Sequence, residues 1–147
     1  MRCRLALVCL LLIPATQAGS ALFTSIHYRG DDGDSVPTAS QYRNPVLAGF
    51  YPDPSIIRVG DDFYLVNSSF GYFPGLSVFR SRDLVDWMQI GKAIDRPGQI
   101  DYGRHELTRS LFAASISCHD GPFYIANTCF YCDGGNYVIT AKNPAGP

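Results

Sequence analysis

Among the ionisable residues of this chain, Asp53 is the one whose surroundings could turn a side chain into a reagent. The run Asn44-Pro45-Val46-Leu47-Ala48-Gly49-Phe50-Tyr51-Pro52-Asp53-Pro54-Ser55-Ile56 sets a single carboxylate between two prolines, just ahead of a strand-like segment. Pro54 bars the residue before it from the helical region and Pro52 fixes its own φ, so Asp53 is expected to be extended and stiff on both sides. A carboxylate held this way loses little entropy on meeting a substrate and could take a proton from water. Taken alone, the tripeptide is also an ordinary turn whose side chain caps a local amide. The other candidates offer less. Glu106 is the single Glu of the chain and reads as a solvated loop carboxylate. Cys129-Phe130-Tyr131-Cys132 has the spacing of half a zinc or redox motif, but no second pair or suitably spaced His accompanies it, so no metal is expected. The Asp-rich run Gly30-Asp31-Asp32-Gly33-Asp34 lacks the spacing and closing Glu of a calcium loop and reads as a solvated linker.

The elements that must position Asp53 read as short strands. Ser55 to Val59, Phe63 to Ser69, Leu76 to Ser81 and Trp87 to Ala93 form one predicted four-stranded meander, with Gly60-Asp61-Asp62 as its first turn. A second follows: Ala113 to Cys118, Pro122 to Thr128 and Asn136 to Ala141, with Asp133-Gly134-Gly135 as hairpin turn. Phe63-Tyr64-Leu65-Val66-Asn67-Ser68 aligns without a gap on Phe123-Tyr124-Ile125-Ala126-Asn127-Thr128, sixty positions later. Self-similarity at such a period on short strands is the signature of radial repetition, as in a β-propeller. The excess over a minimal blade falls in the insertion from Asp95 to Ser110, a candidate pocket wall.

Composition narrows the function classes. The chain has 147 residues, 46% hydrophobic, with 14 Gly, 10 Pro and 18 Tyr plus Phe, which favours an all-β protein rich in turns. A formal net charge of −1 without a basic stripe speaks against nucleic acid and membrane surfaces as partners; the oligomeric state is not legible. Residues 1–18 read as a signal peptide: Arg2 and Arg4, the apolar run Leu5 to Ile13, then small residues in Thr16-Gln17-Ala18. The run is short for a spanning helix, so a secreted, extracellular protein is expected. Cleavage would take Arg2, Arg4, Cys3 and Cys9 with it, leaving Cys118, Cys129 and Cys132, of which at most one pair can bridge. Residues 19–41 read as a polar leader, and the ordered part begins near Tyr42.

From Tyr42 to Pro147 the chain resembles glycoside hydrolase family 43, the β-xylosidases and α-L-arabinofuranosidases built on a five-bladed β-propeller. The match is most specific around Pro52-Asp53-Pro54-Ser55, continues through Ser81-Arg82-Asp83-Leu84-Val85-Asp86-Trp87, and ends in Asn143-Pro144-Ala145-Gly146-Pro147. The resemblance implies that Asp53 is the general base of an inverting hydrolysis. It places the general acid, a Glu, and a second Asp that tunes it on later blades, and implies no cofactor. It also implies that Phe70, in Ser69-Phe70-Gly71-Tyr72-Phe73-Pro74-Gly75, and Phe112, in Ser110-Leu111-Phe112-Ala113-Ala114, line a sugar pocket; core packing is the competing reading for each. Many relatives follow the second aromatic with Ala-Pro-Asp, whereas this chain continues Ala113-Ala114-Ser115, which removes a polar contact and leaves the preferred sugar open.

Trp87 is assigned to the blade core and Asn67, despite the sequon Asn67-Ser68-Ser69, to a structural amide matched by Asn127. The chain is thus expected to hold blade 1 and three strands of blade 2, an incomplete propeller with exposed edges that is marginal or aggregation-prone and inactive by itself. The expected substrate is an oligo- or polysaccharide of the plant cell wall containing xylose or arabinose. A non-catalytic sugar-binding propeller, or a defective truncated product, is the rival.

Overall fold

The computed structural model describes residues 22–27, 38–101, 107–132 and 135–146. The expected signal peptide, Glu106 and the Asp133-Gly134 turn lie outside them. The chain divides into two compact units, residues 1–35 and 36–147. In the first, the described residues 22–27 are exposed and form no regular element.

The second unit contains seven strands and no helix among its described residues: β1 Ser55–Val59, β2 Asp62–Val66, β3 Gly75–Ser81, β4 Met88–Ile94, β5 Leu111–Cys118, β6 Phe123–Cys129 and β7 Asn136–Ala141. They form two antiparallel meanders, β1-β2-β3-β4 and β5-β6-β7. The repeat read from the sequence is real in space, since β2 and β6 are the second strands of their sheets. Alternation explains β6, where Phe123, Ile125, Asn127 and Cys129 are buried while Ala126 and Thr128 face outward.

Three of the strand ends that differ from expectation are explained by hydrogen bonds. β2 stops at Val66, not Ser69, because Ser68 N–H turns to the carbonyl of Pro52 (3.0 Å) and Ser69 N–H to that of Leu111 (3.2 Å). β5 starts at Leu111, not Ala113, because Leu111 pairs with Cys129 and bridges back to Phe70. β4 starts at Met88 because Trp87 belongs to the preceding turn. There Trp87 is half-buried, outside the core cluster, and its indole N–H donates to Leu84 O at 3.0 Å. The assignment of Trp87 to the core is therefore corrected: its polar edge is satisfied inside the turn, which keeps the ring at the surface.

The core lies between the two sheets. Val66, Leu76, Val78 and Ile94 from the first meet Leu111, Ile116, Phe123 and Ile125 from the second. Leu76, Ile94, Leu111 and Val66 are wholly buried, each a contribution of roughly 1.5–3 kcal/mol relative to exposure. Tyr64 meets Phe123 edge-on with ring centres 5.0 Å apart, and Ile116 N–H donates to Ser55 Oγ at 3.2 Å. At the far edge, Gly91 lies under the backbone of Ala145, where any Cβ would collide. The segment after β2 links the two strand starts: Ser68 N–H bonds Pro52 O, next to Asp53, and Ser69 N–H bonds Leu111 O, next to Phe112.

Candidate active site

Asp53 is not extended. Its φ is +53°, a region in which non-glycine residues are costly by about 1–3 kcal/mol. The proline rule removes the right-handed helical region for the residue before Pro54, but it does not force that residue into a strand, and here the chain crosses to positive φ instead. Ser68 holds the resulting elbow twice. Its N–H donates to Pro52 O at 3.0 Å and its hydroxyl to Asp53 Oδ2 at 2.7 Å. Upstream, the Tyr51 ring stands edge-on to buried Phe79 at 5.3 Å. Gly49, at φ +137°, leaves room for it: a Cβ there would stand 2.9 Å from Tyr51 Cε2. Asp53 is exposed, and among the described residues Oδ1 has no hydrogen-bond donor, so one carboxylate oxygen is bonded and the other is not.

The segments that flank Asp53 and Ser68 lead into a row of aromatic rings. Phe50 and Phe70 have ring centres 5.8 Å apart, Phe70 and Phe112 meet edge-on at 5.7 Å, and Phe112 and Phe130 lie 6.1 Å apart. The expected pair, Phe70 and Phe112, thus comes together, both half-buried. The bridge between Phe70 and Leu111 makes that meeting obligatory: Phe70 N–H donates to Leu111 O at 2.8 Å and Leu111 N–H to Phe70 O at 3.1 Å. A hollow of about 470 Å³ opens on blade 1, lined by Phe50, Tyr51, Asn67, Ser68, Tyr72 and Lys92 among others; Asp53 borders it through Ser68 and does not line it. Of the Asp95–Ser110 insertion, the described end reaches this rim, where Gly71 N–H donates to Leu107 O at 3.3 Å.

Sequence reasoning missed Ser68, Phe50 and Phe130. Ser68 was legible in principle: Ser55 pairs with Val66, so two positions further out on each strand residues 53 and 68 face one another. Phe130 could not be placed until Cys129 and Cys132 were seen to be joined by a disulfide, which leaves Cys118 as a half-buried free thiol. Asn67 is 2% exposed and donates to Ser68 O at 2.8 Å, as a structural amide should; Asn127 donates to Phe112 O at 2.6 Å.

Comparison with known proteins gives the same outline. The description "Glycosyl hydrolases family 43" matches residues 42–147. A xylosidase/arabinosidase of Butyrivibrio fibrisolvens is 51% identical over 104 residues, covering 71% of this chain and 20% of its own length. A non-reducing end α-L-arabinofuranosidase of Bacteroides ovatus is 50% identical over 109 residues, covering 72% and 21%. Among solved structures, a xylan β-1,4-xylosidase from Bacillus halodurans C-125 superposes with a TM-score of 0.67 at 40% identity, over 73% of this chain and 22% of that one. The chain therefore spans about a fifth of the length of the relatives it matches. Its two sheets are the first blade and three strands of the second blade of the propeller those enzymes share. By this match over most of its length, the chain belongs to glycosyl hydrolases family 43.

Proposed function

We propose that the full-length protein is a secreted glycoside hydrolase that removes terminal xylose or arabinofuranose units from plant cell-wall polysaccharide with inversion, and that Asp53 is its general base. The observation that carries this reading is the elbow: an exposed aspartate at positive φ, with one carboxylate oxygen tied to Ser68, two residues before Phe70 of the Phe70–Phe112 pair. The names of the xylosidase and arabinofuranosidase relatives support the substrate class.

In the proposed step, Asp53 takes a proton from a water that attacks the anomeric carbon on the face opposite the leaving group. A second carboxyl group, about 6.5–9.5 Å away on a later blade, gives its proton to the departing oxygen. Ser68 orients the carboxyl group of the base, while Phe70 and Phe112 present apolar faces to the C–H side of the sugar ring.

The test is Asp53→Asn in the full-length protein, assayed on paired aryl xyloside and aryl arabinofuranoside substrates. Turnover should fall by about 100-fold or more on the preferred substrate. Near-wild-type turnover would end the assignment of the base. A wild-type protein that binds oligosaccharide and hydrolyses neither substrate would instead establish the sugar-binding rival.

A further inference from the structure

The aromatic row does not stop at the expected sugar pair. It continues through Phe130 to Tyr131, whose ring centres lie 4.6 Å apart, and the Arg109 guanidinium carbon sits 5.5 Å from the centre of the first ring and 5.3 Å from that of the second. A cation over two aromatic faces fixes both rings without filling a core. Both are more than 40% exposed, unlike the half-buried Phe70 and Phe112. The backbone beneath is built for display. The Cys129–Cys132 disulfide closes the turn, Phe130 N–H donates to Ser110 O at 2.9 Å, and Cys129 N–H donates to Gly135 O at 2.8 Å. Tyr131 has φ +73° and Ser110 φ +89°, so both segments meeting here hold non-glycine residues in a costly conformation. The disulfide roots the turn in the core through buried Cys129, while the two rings it carries and the cation over them stay outside the core cluster.

We propose that Phe130 and Tyr131, clamped by Arg109, form the platform for the sugar on the leaving-group side of the scissile bond. This rests on the reading of Asp53 and the Phe70–Phe112 pair as the place where the terminal sugar is held. A substrate cut at its end must leave that place toward the open part of the row. Phe130 is the ring in contact with Phe112 there, at 6.1 Å. Phe50, at the opposite end, is also exposed, but it precedes the Asp53 elbow on the same segment and carries no comparable clamp. The occupant is thus a second, neutral pentose of the chain, stacked through its C–H face.

The experiment separates this site from the base. In the full-length protein, Phe130→Ala should lower kcat/KM on a xylo- or arabino-oligosaccharide by about tenfold, mostly through KM, because uniform binding is what is lost. The matching glycosyl fluoride, whose leaving group is one atom and reaches no platform, should be hydrolysed within about twofold of wild type. Phe130→Trp should restore the oligosaccharide value. Equal losses on both substrates, or none on either, would overturn the platform. If the protein proves inactive on every substrate, the base assignment fails while the platform is still tested by binding. Titration of the Asp53→Asn variant with the same oligosaccharide should show affinity falling about tenfold on adding Phe130→Ala; unchanged affinity would reject the platform.

Discussion

The two sheets repeat each other at an interval of sixty residues, yet they use the same positions for different ends. In blade 1, position 53 is a carboxylate and position 68 the serine that holds it at 2.7 Å. Sixty residues on, position 113 is Ala and position 128 is Thr, whose hydroxyl donates to Asn136 Oδ1 at 2.7 Å within its own hairpin. The buried asparagines differ likewise. Asn127 is satisfied at both ends, giving its amide to Phe112 O at 2.6 Å and accepting Tyr137 OH at 2.8 Å. Asn67 donates to its neighbour Ser68 O, while its buried Oδ1 has no hydrogen-bond partner among the described residues. The first blade thus leaves a buried amide oxygen unpaired next to Ser68, whereas the equivalent amide of the second blade is bonded at both ends. A repeat multiplies the strand pattern cheaply because packing needs only alternation, whereas a reagent needs its odd residues once.

Removing the two equivalent hydroxyls is the sharpest way to break this contrast. Ser68→Ala in the full-length protein takes away the hydrogen bond that orients the proposed base, and kcat/KM should fall by about tenfold with folding intact. Thr128→Ala removes a hydroxyl that serves only an exposed hairpin contact, and should leave kcat/KM within about twofold. Steady-state kinetics on one aryl glycoside decides it, and similar losses in both variants would show that the difference between the blades has no functional meaning.

Stability should order the two amides the other way. Asn127→Ala removes the two hydrogen bonds that its amide makes with the Phe112 carbonyl and the Tyr137 hydroxyl, a cost of about 1–3 kcal/mol. Asn67→Ala breaks one bond to an adjacent residue and removes an acceptor that was already unpaired, so it should cost roughly 1 kcal/mol or less. Denaturant unfolding of the two variants measures the difference; a costlier Asn67→Ala would mean that its carbonyl is bonded after all in the full-length protein.

What the sequence revealed and what it hid follow the same division. Strand positions came from alternation and from the sixty-residue repeat, and β1 and β7 begin and end where the pattern places them, because both depend on side-chain period alone. Of the ends that moved, those at Ser69 and Leu111 are set by backbone hydrogen bonds to distant segments, of which a local pattern carries no trace, and that at Trp87 goes with an indole bond inside its own turn. At the site, Asp53 was legible because two prolines isolate it and a family resemblance names it. Its positive φ was not, since Pro54 excludes one region without choosing among the others. Phe70 and Phe112 were found by motif position, but Phe130 sits on a turn defined by a disulfide whose pairing three cysteines leave open.

The smallest effect concerns a turn that both blades share. Asp83 Oδ1 accepts the N–H groups of Asp86 at 2.8 Å and Val85 at 2.9 Å, and the Ser81 hydroxyl at 3.0 Å. Sixty residues later Asn143 Oδ1 accepts Ala145 N–H at 3.0 Å in the same manner. One turn uses a charge and the other an amide. The Asp86 and Val85 N–H groups, then the Ser81 hydroxyl, favour the ionised carboxyl and hold Asp83 below the ordinary carboxylate pKa. A pKa depressed in the folded state means that this stabilisation is complete above the unfolded value and is lost as pH falls through the folded one. The turn of blade 1 should therefore loosen in acid while that of blade 2 does not. Asp83→Asn, which keeps the acceptor and discards the charge, should change Tm by no more than about a degree at neutral pH and should flatten the acid limb of Tm against pH slightly. Because Asp83 is fully exposed, water and salt screen its charge, so raising the ionic strength should shrink even this difference. An acid limb unchanged by Asp83→Asn would mean that the pH sensitivity of the fold lies in carboxylates other than this one.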